Sequence, residues 1–162
     1  MNVRPAVSAD IPAMMELEQQ IPAAAHWSRL QYESFFAAGP LSPSERLILV
    51  AEESSDPGRV EGSKANRIFA FLVAHQIGAE WELENIVVSQ NAQRKGVGSS
   101  LLKQFIGHAH AQDARSIFLE VRESNQNARG FYRKAGFEEC GIRKSYYTHP
   151  SESAILYRLS LS

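Results

Sequence analysis

One stretch constrains the fold more than any other: Leu83-Glu-Asn-Ile-Val-Val-Ser-Gln-Asn-Ala-Gln-Arg-Lys-Gly-Val-Gly-Ser-Ser-Leu-Leu102. It reads as a strand, a short basic glycine turn and the start of an amphipathic helix. Gly96 and Gly98 carry no Cβ, so the chain can turn tightly there and a ligand can approach the backbone closely. Arg94 and Lys95 add positive charge where the new helix presents unpaired N–H groups and the positive end of its dipole. A diphosphate fits such a turn.

The segments before the turn are also apolar. Ile68 to Ile77 and Trp81 to Ser89, joined by Gly78-Ala79, read as an antiparallel hairpin that runs into the glycine turn. Further upstream, Val3 to Val7 reads as an edge strand, since Pro5 is tolerated at an edge. Ser8 is placed as an N-cap, with Asp10 in the first turn, for a helix over roughly 9–20 that presents Ile11, Met14 and Met15. Ser28 and Gln31 have capping-box spacing, and Trp27 with Tyr32 can form a hydrophobic staple. Gly39-Pro40 ends that second helix, and Leu47 to Ala51 is a strand. Glu53 to Arg67 is a long polar loop without periodicity.

Downstream of the turn, Val97, Leu101, Leu102, Phe105, Ile106 and Ala109 mark one face of a long helix. Ser116 to Val121 is a strand. Asn125 or Asn127 caps a helix with Ala128, Phe131, Tyr132 and Ala135 on one face, closed by Gly136. Phe137 to Tyr146 and Ala154 to Leu161 are the last strands. The order β-α-α-β-β-β-α-β-α-β-β, with adjacent strands joined by short turns, excludes a purely parallel doubly wound sheet. The expected class is α/β (α+β), a mixed, mostly antiparallel central sheet with helices on both faces, in a single domain over 1–162.

Composition narrows the class of function. A net charge of -1 over 162 residues argues against a nucleic-acid scaffold. Cys140 is the only cysteine, which excludes an internal disulfide and a zinc-finger pattern, and it reads as a small core residue. No apolar run reaches membrane-spanning length. The expectation is a cytoplasmic protein, a monomer or weak dimer, without a membrane or nucleic-acid partner. No metal is expected: His108 and His110 are i, i+2 on a helix, and His26, His75 and His149 show no ligand spacing.

Two phosphate motifs fail on the glycine turn. A P-loop needs Lys-Ser/Thr after its second glycine, where Ser99-Ser100 stands. A dinucleotide fingerprint needs a third glycine where Leu101 stands. Gln93-Arg-Lys-Gly-Val-Gly98 instead matches the Gln/Arg-x-x-Gly-x-Gly/Ala signature. Together with Leu119-Glu-Val-Arg-x-Ser-Asn125 and Phe131-Tyr-x-x-x-Gly-Phe137, it resembles the GNAT superfamily of acyl-CoA N-acyltransferases over nearly the whole chain. Trp27-Ser28, Leu119-Glu-Val-Arg122 and Ile142-Arg-Lys-Ser-Tyr-Tyr147 are most similar to its RimI-type branch, the protein N-terminal acetyltransferases of the ribosomal-protein-alanine type.

That resemblance implies acetyl-CoA as co-substrate. It implies Glu120 as general base, on the C-terminal part of a strand, and Tyr132, twelve residues on, as general acid for the thiolate. A phenol stays protonated at neutral pH and can serve that role. It further implies that the backbone of Ile86, Val87 and Val88 contacts the acetyl-pantetheine arm, with an oxyanion donor at Val88. Arg94, Lys95, Gly96, Val97, Gly98 and Ser99 would cradle the pyrophosphate, and Asn125 would bond the arm. Glu82 and Glu84 compete with Glu120, because other branches place a base on that strand; regular alternation puts both on the face of Ile86.

The acceptor is less constrained. Deprotonating a lysine at pH 7 costs about 4.6 kcal/mol, whereas an α-amino group needs only about 1–1.4 kcal/mol. A single carboxylate relay suits the second. Trp27, Glu84, Tyr146, Tyr147 and Glu152 are the residues expected to shape the acceptor groove. The resemblance implies a protein N-terminus, possibly of a ribosomal protein. His26, where relatives usually carry Pro, and the long 53–67 insertion depart from the pattern. A small-molecule amine or lysine acceptor, or an inactive acyl-CoA-binding module, are the alternatives.

Overall fold

The computed structural model describes residues 1–37, 45–54, 67–148 and 150–161. Seven strands form one sheet: β1 (Asn2–Pro5), β2 (Arg46–Glu52), β3 (Ile68–Ile77), β4 (Glu80–Val88), β5 (Ser116–Arg122), β6 (Glu138–Tyr147) and β7 (Glu152–Ser160). Their spatial order is β1-β2-β3-β4-β5-β7-β6, and every neighbouring pair is antiparallel except β4 with β5. The helices are α1 (Ile11–Gln19), α2 (Arg29–Phe36), α3 (Val97–Ala111) and α4 (Gln126–Lys134). The expected order of elements and the mixed sheet both hold.

Each face of the sheet buries its own core. On one, Leu101, Leu102 and Phe105 of α3 and Tyr132 of α4 pack with Trp81, Leu119, Phe137 and Tyr157. On the other, Ile11, Met14 and Leu17 of α1 and Tyr32 of α2 pack against Ile48, Phe71, Val73 and Val87. The apolar face read for α3 is the buried one. At α2, Ser28 and Gln31 form the capping box, and the Trp27 ring sits edge-on to Tyr32 at 5.6 Å between centroids.

Several expectations are corrected. Ser8 is not a side-chain cap. It opens a 3-10 turn, and the Asp10 carboxylate accepts the Val7 N–H at 2.8 Å while bonding Arg4 twice. The first strand ends at Pro5 rather than Val7. Cys140 is exposed rather than in the core, because β6 is the outer strand and Cys140 is the extra residue where its register against β7 slips. Gly39-Pro40, residues 55–66 of the long loop, and His149 lie outside the described residues.

The correction with most consequence is in β4. Val73 stands opposite Asn85 and Ala74 opposite Leu83, so Glu84 is an extra residue, a β-bulge. The bulge reverses the facing of everything after it. Trp81 and Leu83 join the α3–α4 core, and so do Ile86 and Val88. Asn85 instead reaches α1, where its amide donates to Glu18 at 2.6 Å. Glu84 pairs with Arg46, whose guanidinium lies 4.0 Å from the Phe35 ring of α2. Glu82 and Glu84 therefore do not share the face of Ile86.

Candidate active site

The parallel pair β4–β5 is joined only over Glu80↔Ser116, Trp81↔Ile117 and Glu82↔Phe118. Both strands continue beyond it, β4 to Val88 and β5 to Arg122, without a ladder between them. The sheet is split there, and main-chain groups of Leu83 to Val88 on that side are left to find other partners. Gln93 fills one, donating from its side-chain amide to the Val88 carbonyl at 3.1 Å.

The glycine turn closes the top of the split. Arg94 and Gly96 both have left-handed backbone, with φ of 60° and 80°, and Gly96 is the N-cap of α3. That geometry turns the N–H groups of the first helical turn, including Val97, Gly98 and Ser99, outward together. A Cβ placed on Gly98 would stand 3.5 Å from the Phe131 ring and 3.6 Å from Val88, so Gly98 keeps open the gap between α4 and the end of β4. The Arg94 and Lys95 side chains are exposed beside it. Bare N–H groups, two cations and a glycine-lined gap are the features a diphosphate requires. Asn125 is the N-cap of α4, its side-chain oxygen accepting from Ala128 N–H at 3.2 Å, which leaves its amide N–H₂ for another partner.

Two candidate catalytic groups flank the split. Glu120 belongs to the α1–α2 face of β5, since its neighbours Leu119 and Val121 lie in the α3–α4 core. Its side chain is 14% exposed and pairs with Arg143 of β6 at 3.2 Å, not with Arg122 two residues on. Tyr132 lies on the opposite side, packed against Phe131, Phe137 and Tyr157. Burial, assisted by Tyr147, pushes its phenol above the ordinary tyrosine range, and no described residue hydrogen-bonds its hydroxyl. The two side chains lie on opposite faces of the sheet.

Three carboxylates gather on the Glu120 side. Glu84 is held by Arg46 through two bonds of 3.0 and 2.9 Å. Glu82 has no such partner among the described residues. Burial, then the charges of Glu84 and Glu120, raise its carboxyl above the usual range. Sequence spacing gave no hint of His75 here, because it reaches the cluster across the β3–β4 hairpin, opposite Glu82. One ligand atom each from His75, Glu82 and Glu84 lie within 4.8 Å of one another, a set able to hold a metal ion, although Arg46 already engages Glu84.

The end of β6 borders this face. Ser145 has φ of 52°, and the register against β7 slips between Arg143 and Tyr147, which frees the strand's last turn to carry Tyr146 and Tyr147 toward Glu120. The charge of Glu120 raises the Tyr146 phenol, and burial followed by Glu120 raises that of Tyr147. Arg122 stacks on Tyr147 at 4.2 Å. Glu152 is tied to the Ser124 N–H and then to Arg122, which hold its carboxyl low, so it braces the groove rather than facing an acceptor. Trp27 stands apart from Glu120, at the α1–α2 connection on the same face. Arg143, Arg46 and Glu18 were not singled out from the sequence, because their partners lie on other elements.

With this geometry in place, the comparisons with known proteins are specific. The sequence profile of the Acetyltransferase (GNAT) family matches residues 12–137. The chain belongs to the GNAT acetyltransferase family. It is 31% identical to the [ribosomal protein bS18]-alanine N-acetyltransferase of Salmonella typhimurium, over 96% of this chain and 94% of that one. The crystal structure of the ribosomal-protein-S18-alanine N-acetyltransferase from Escherichia coli superposes with a TM-score of 0.76 at 28% identity, covering 99% of this chain and 94% of that one. Ard1 from Thermoplasma volcanium shares the fold, with a TM-score of 0.79 at 23% identity over 99% and 97% of the two chains. This GNAT protein is an acetyl-CoA-dependent N-acetyltransferase of RimI-like sequence. No described helix is long and apolar enough to cross a membrane.

Proposed function

We propose that the protein transfers the acetyl group of acetyl-CoA to the N-terminal α-amino group of a protein, with alanine of a ribosomal protein as the model acceptor. The observation that carries this reading is the placement of Glu120 and Tyr132 on the two sides of one split in the sheet. An amine approaching on the α1–α2 face meets Glu120 among the carboxylates and the Tyr146–Tyr147 pair. A thioester lying in the split exposes its sulfur toward the Tyr132 side.

In this reading Arg94 to Ser99 hold the diphosphate through main-chain N–H groups. The free edge of Ile86 to Val88 aligns the pantetheine arm, with the free amide of Asn125 beside it. Glu120 takes one proton from the α-ammonium, directly or through one water. The neutral nitrogen attacks the thioester carbonyl carbon, and the Val88 N–H stabilises the oxyanion. The C–S bond then breaks, the Tyr132 hydroxyl supplies the thiolate proton, and the nitrogen gives up its second proton to water. The products are an acetylated N-terminus and a free thiol, and the tyrosinate recovers a proton from solvent. An α-amino group asks for only about 1–1.4 kcal/mol of deprotonation at pH 7, within reach of one half-buried carboxylate.

Thiol release from acetyl-CoA should be seen with peptides beginning in alanine. The same peptides with a blocked N-terminus and a free lysine should release none. Turnover confined to lysine side chains or small amines would refute the N-terminal assignment.

A further inference from the structure

Glu18, in the last turn of α1, is only 2% exposed. Carboxylates are rarely buried this far without a cationic partner, because desolvation of the charge costs several kcal/mol. Among the described residues, no lysine or arginine pairs with it. The Asn85 amide donates to it at 2.6 Å. Burial raises its carboxyl, with Tyr32, then Asn85 and the nearby His26, pulling the other way. The Tyr32 hydroxyl is buried close by without a hydrogen bond of good geometry.

A cavity of about 220 Å³ lies beside Glu18, which lines it together with Met15, Gln19, His26 and Trp27. It falls below the ~300–1,000 Å³ of a site for a separate small molecule, and suits one side chain. Its walls are matched to a long cation. A Trp ring attracts ammonium and guanidinium groups, Met15 can cover an aliphatic stem, and Glu18 supplies the opposite charge. The cavity shares the sheet face of Glu120, and Glu18 is bonded to Asn85, next to the bulged Glu84. We propose that this cavity is a subsite for a basic side chain, lysine or arginine, within the first few residues of the acceptor, with Glu18 as its counter-ion. The proposal rests on the N-terminal acceptor reading, but the two can be tested separately.

The test uses peptides with Arg, Lys or norleucine at position two, three or four, each made with a free and with an acetylated N-terminus. Binding of the acetylated set is read by calorimetry, and kcat/KM is read on the free set. At one position the basic residues should bind about tenfold more tightly than norleucine. Glu18→Gln should bring that ratio close to one. His26→Arg, on the exposed connection, should do the same by bringing a cation of the protein's own beside Glu18. Because each ratio is taken within one variant, a general loss of stability cancels. Equal binding of basic and norleucine peptides at all three positions would overturn the subsite, as would a preference that survives Glu18→Gln. If the preference holds in binding while no free N-terminus is acetylated, the subsite stands and the acceptor reading falls.

Discussion

Gly96 and Gly98 are two residues apart, yet substitution should separate their roles cleanly. Gly96 has φ of 80°, and a Cβ there would meet no atom within 4 Å, so Gly96→Ala is opposed by backbone strain alone. An L-residue forced into the left-handed region costs about 1–2 kcal/mol. At about 2–4 °C per kcal/mol for a chain of this size, Tm should fall by roughly 2–8 °C. Gly98 is already helical, and its added Cβ would make ordinary contacts of 3.5 and 3.6 Å with Phe131 and Val88. Relief of glycine's entropy loss in a helix offers roughly 0.5–1 kcal/mol, so Gly98→Ala should be neutral or slightly stabilising. The new methyl, however, occupies the gap over which the diphosphate is proposed to reach the helix N–H groups. Loss of one hydrogen bond to a charged group costs about 1.5–3 kcal/mol, roughly a tenfold to hundredfold rise in the acetyl-CoA Kd. Urea denaturation and calorimetric titration of both variants decide the matter. Unchanged affinity in Gly98→Ala would refute the cradle, and unchanged stability in Gly96→Ala would refute the strained cap.

The remaining expectations follow from the same geometry. Glu120→Gln and Tyr132→Phe should each lower kcat by roughly 10²–10⁴ with little change in either KM, measured by thiol release; full turnover in either variant would remove that residue from its role. Since burial raises the Tyr132 phenol above its ordinary value near 10, its ionisation should cause no fall in kcat below about pH 10. A descending limb near pH 8–9 would point to a different acid. Arg129, then Tyr157, hold the Glu139 carboxyl below its usual range, so the stability it contributes is present above about pH 4.3 and lost as pH falls through the depressed value. Glu139→Gln should therefore be less stable than the parent at pH 7, with a gap that narrows in denaturation midpoints as pH falls below about 4.3. Removing the cap with Ser28→Ala should cost about 1 kcal/mol and lower Tm by about 2–4 °C.

Much of the fold was legible because local signals carried it. The Ser28–Gln31 box, the turn at Gly78-Ala79, the glycine turn before α3 and the 3.6-residue period of Val97 to Ala109 are each short-range features, and each is where it was expected. The bulge was not legible. Buried and half-buried residues alternate without a break through β4, from Glu80 to Val88, so periodicity shows nothing unusual at Glu84. The alternation survives the change of face because Asn85, a polar residue, takes a buried place against Glu18. The partners of Glu120 were hidden for another reason. Arg122 is two residues away on the same strand, but it stacks on Tyr147 and pairs with Glu152, leaving Arg143 of the edge strand to reach Glu120. Contacts set by strand order cannot be read from spacing.

The bulge also bears on the chemistry. Glu82 and Glu84 stand on the side of Glu120, and the reversal after Glu84 turns Ile86 and Val88 to the other side, so three carboxylates gather there against two guanidiniums, Arg46 and Arg143. Among these groups the face is one positive charge short, and an acceptor arriving as an ammonium supplies that charge. Once the amine has lost its proton, the proton can remain on the same face without leaving an excess of charge. Glu82 is suited to hold it, since burial and the charges of Glu84 and Glu120 favour its neutral form. A split sheet alone would accept a thioester. The carboxylates beside it make the same place attractive to a protonated amine and able to keep the proton that the proposed reaction removes.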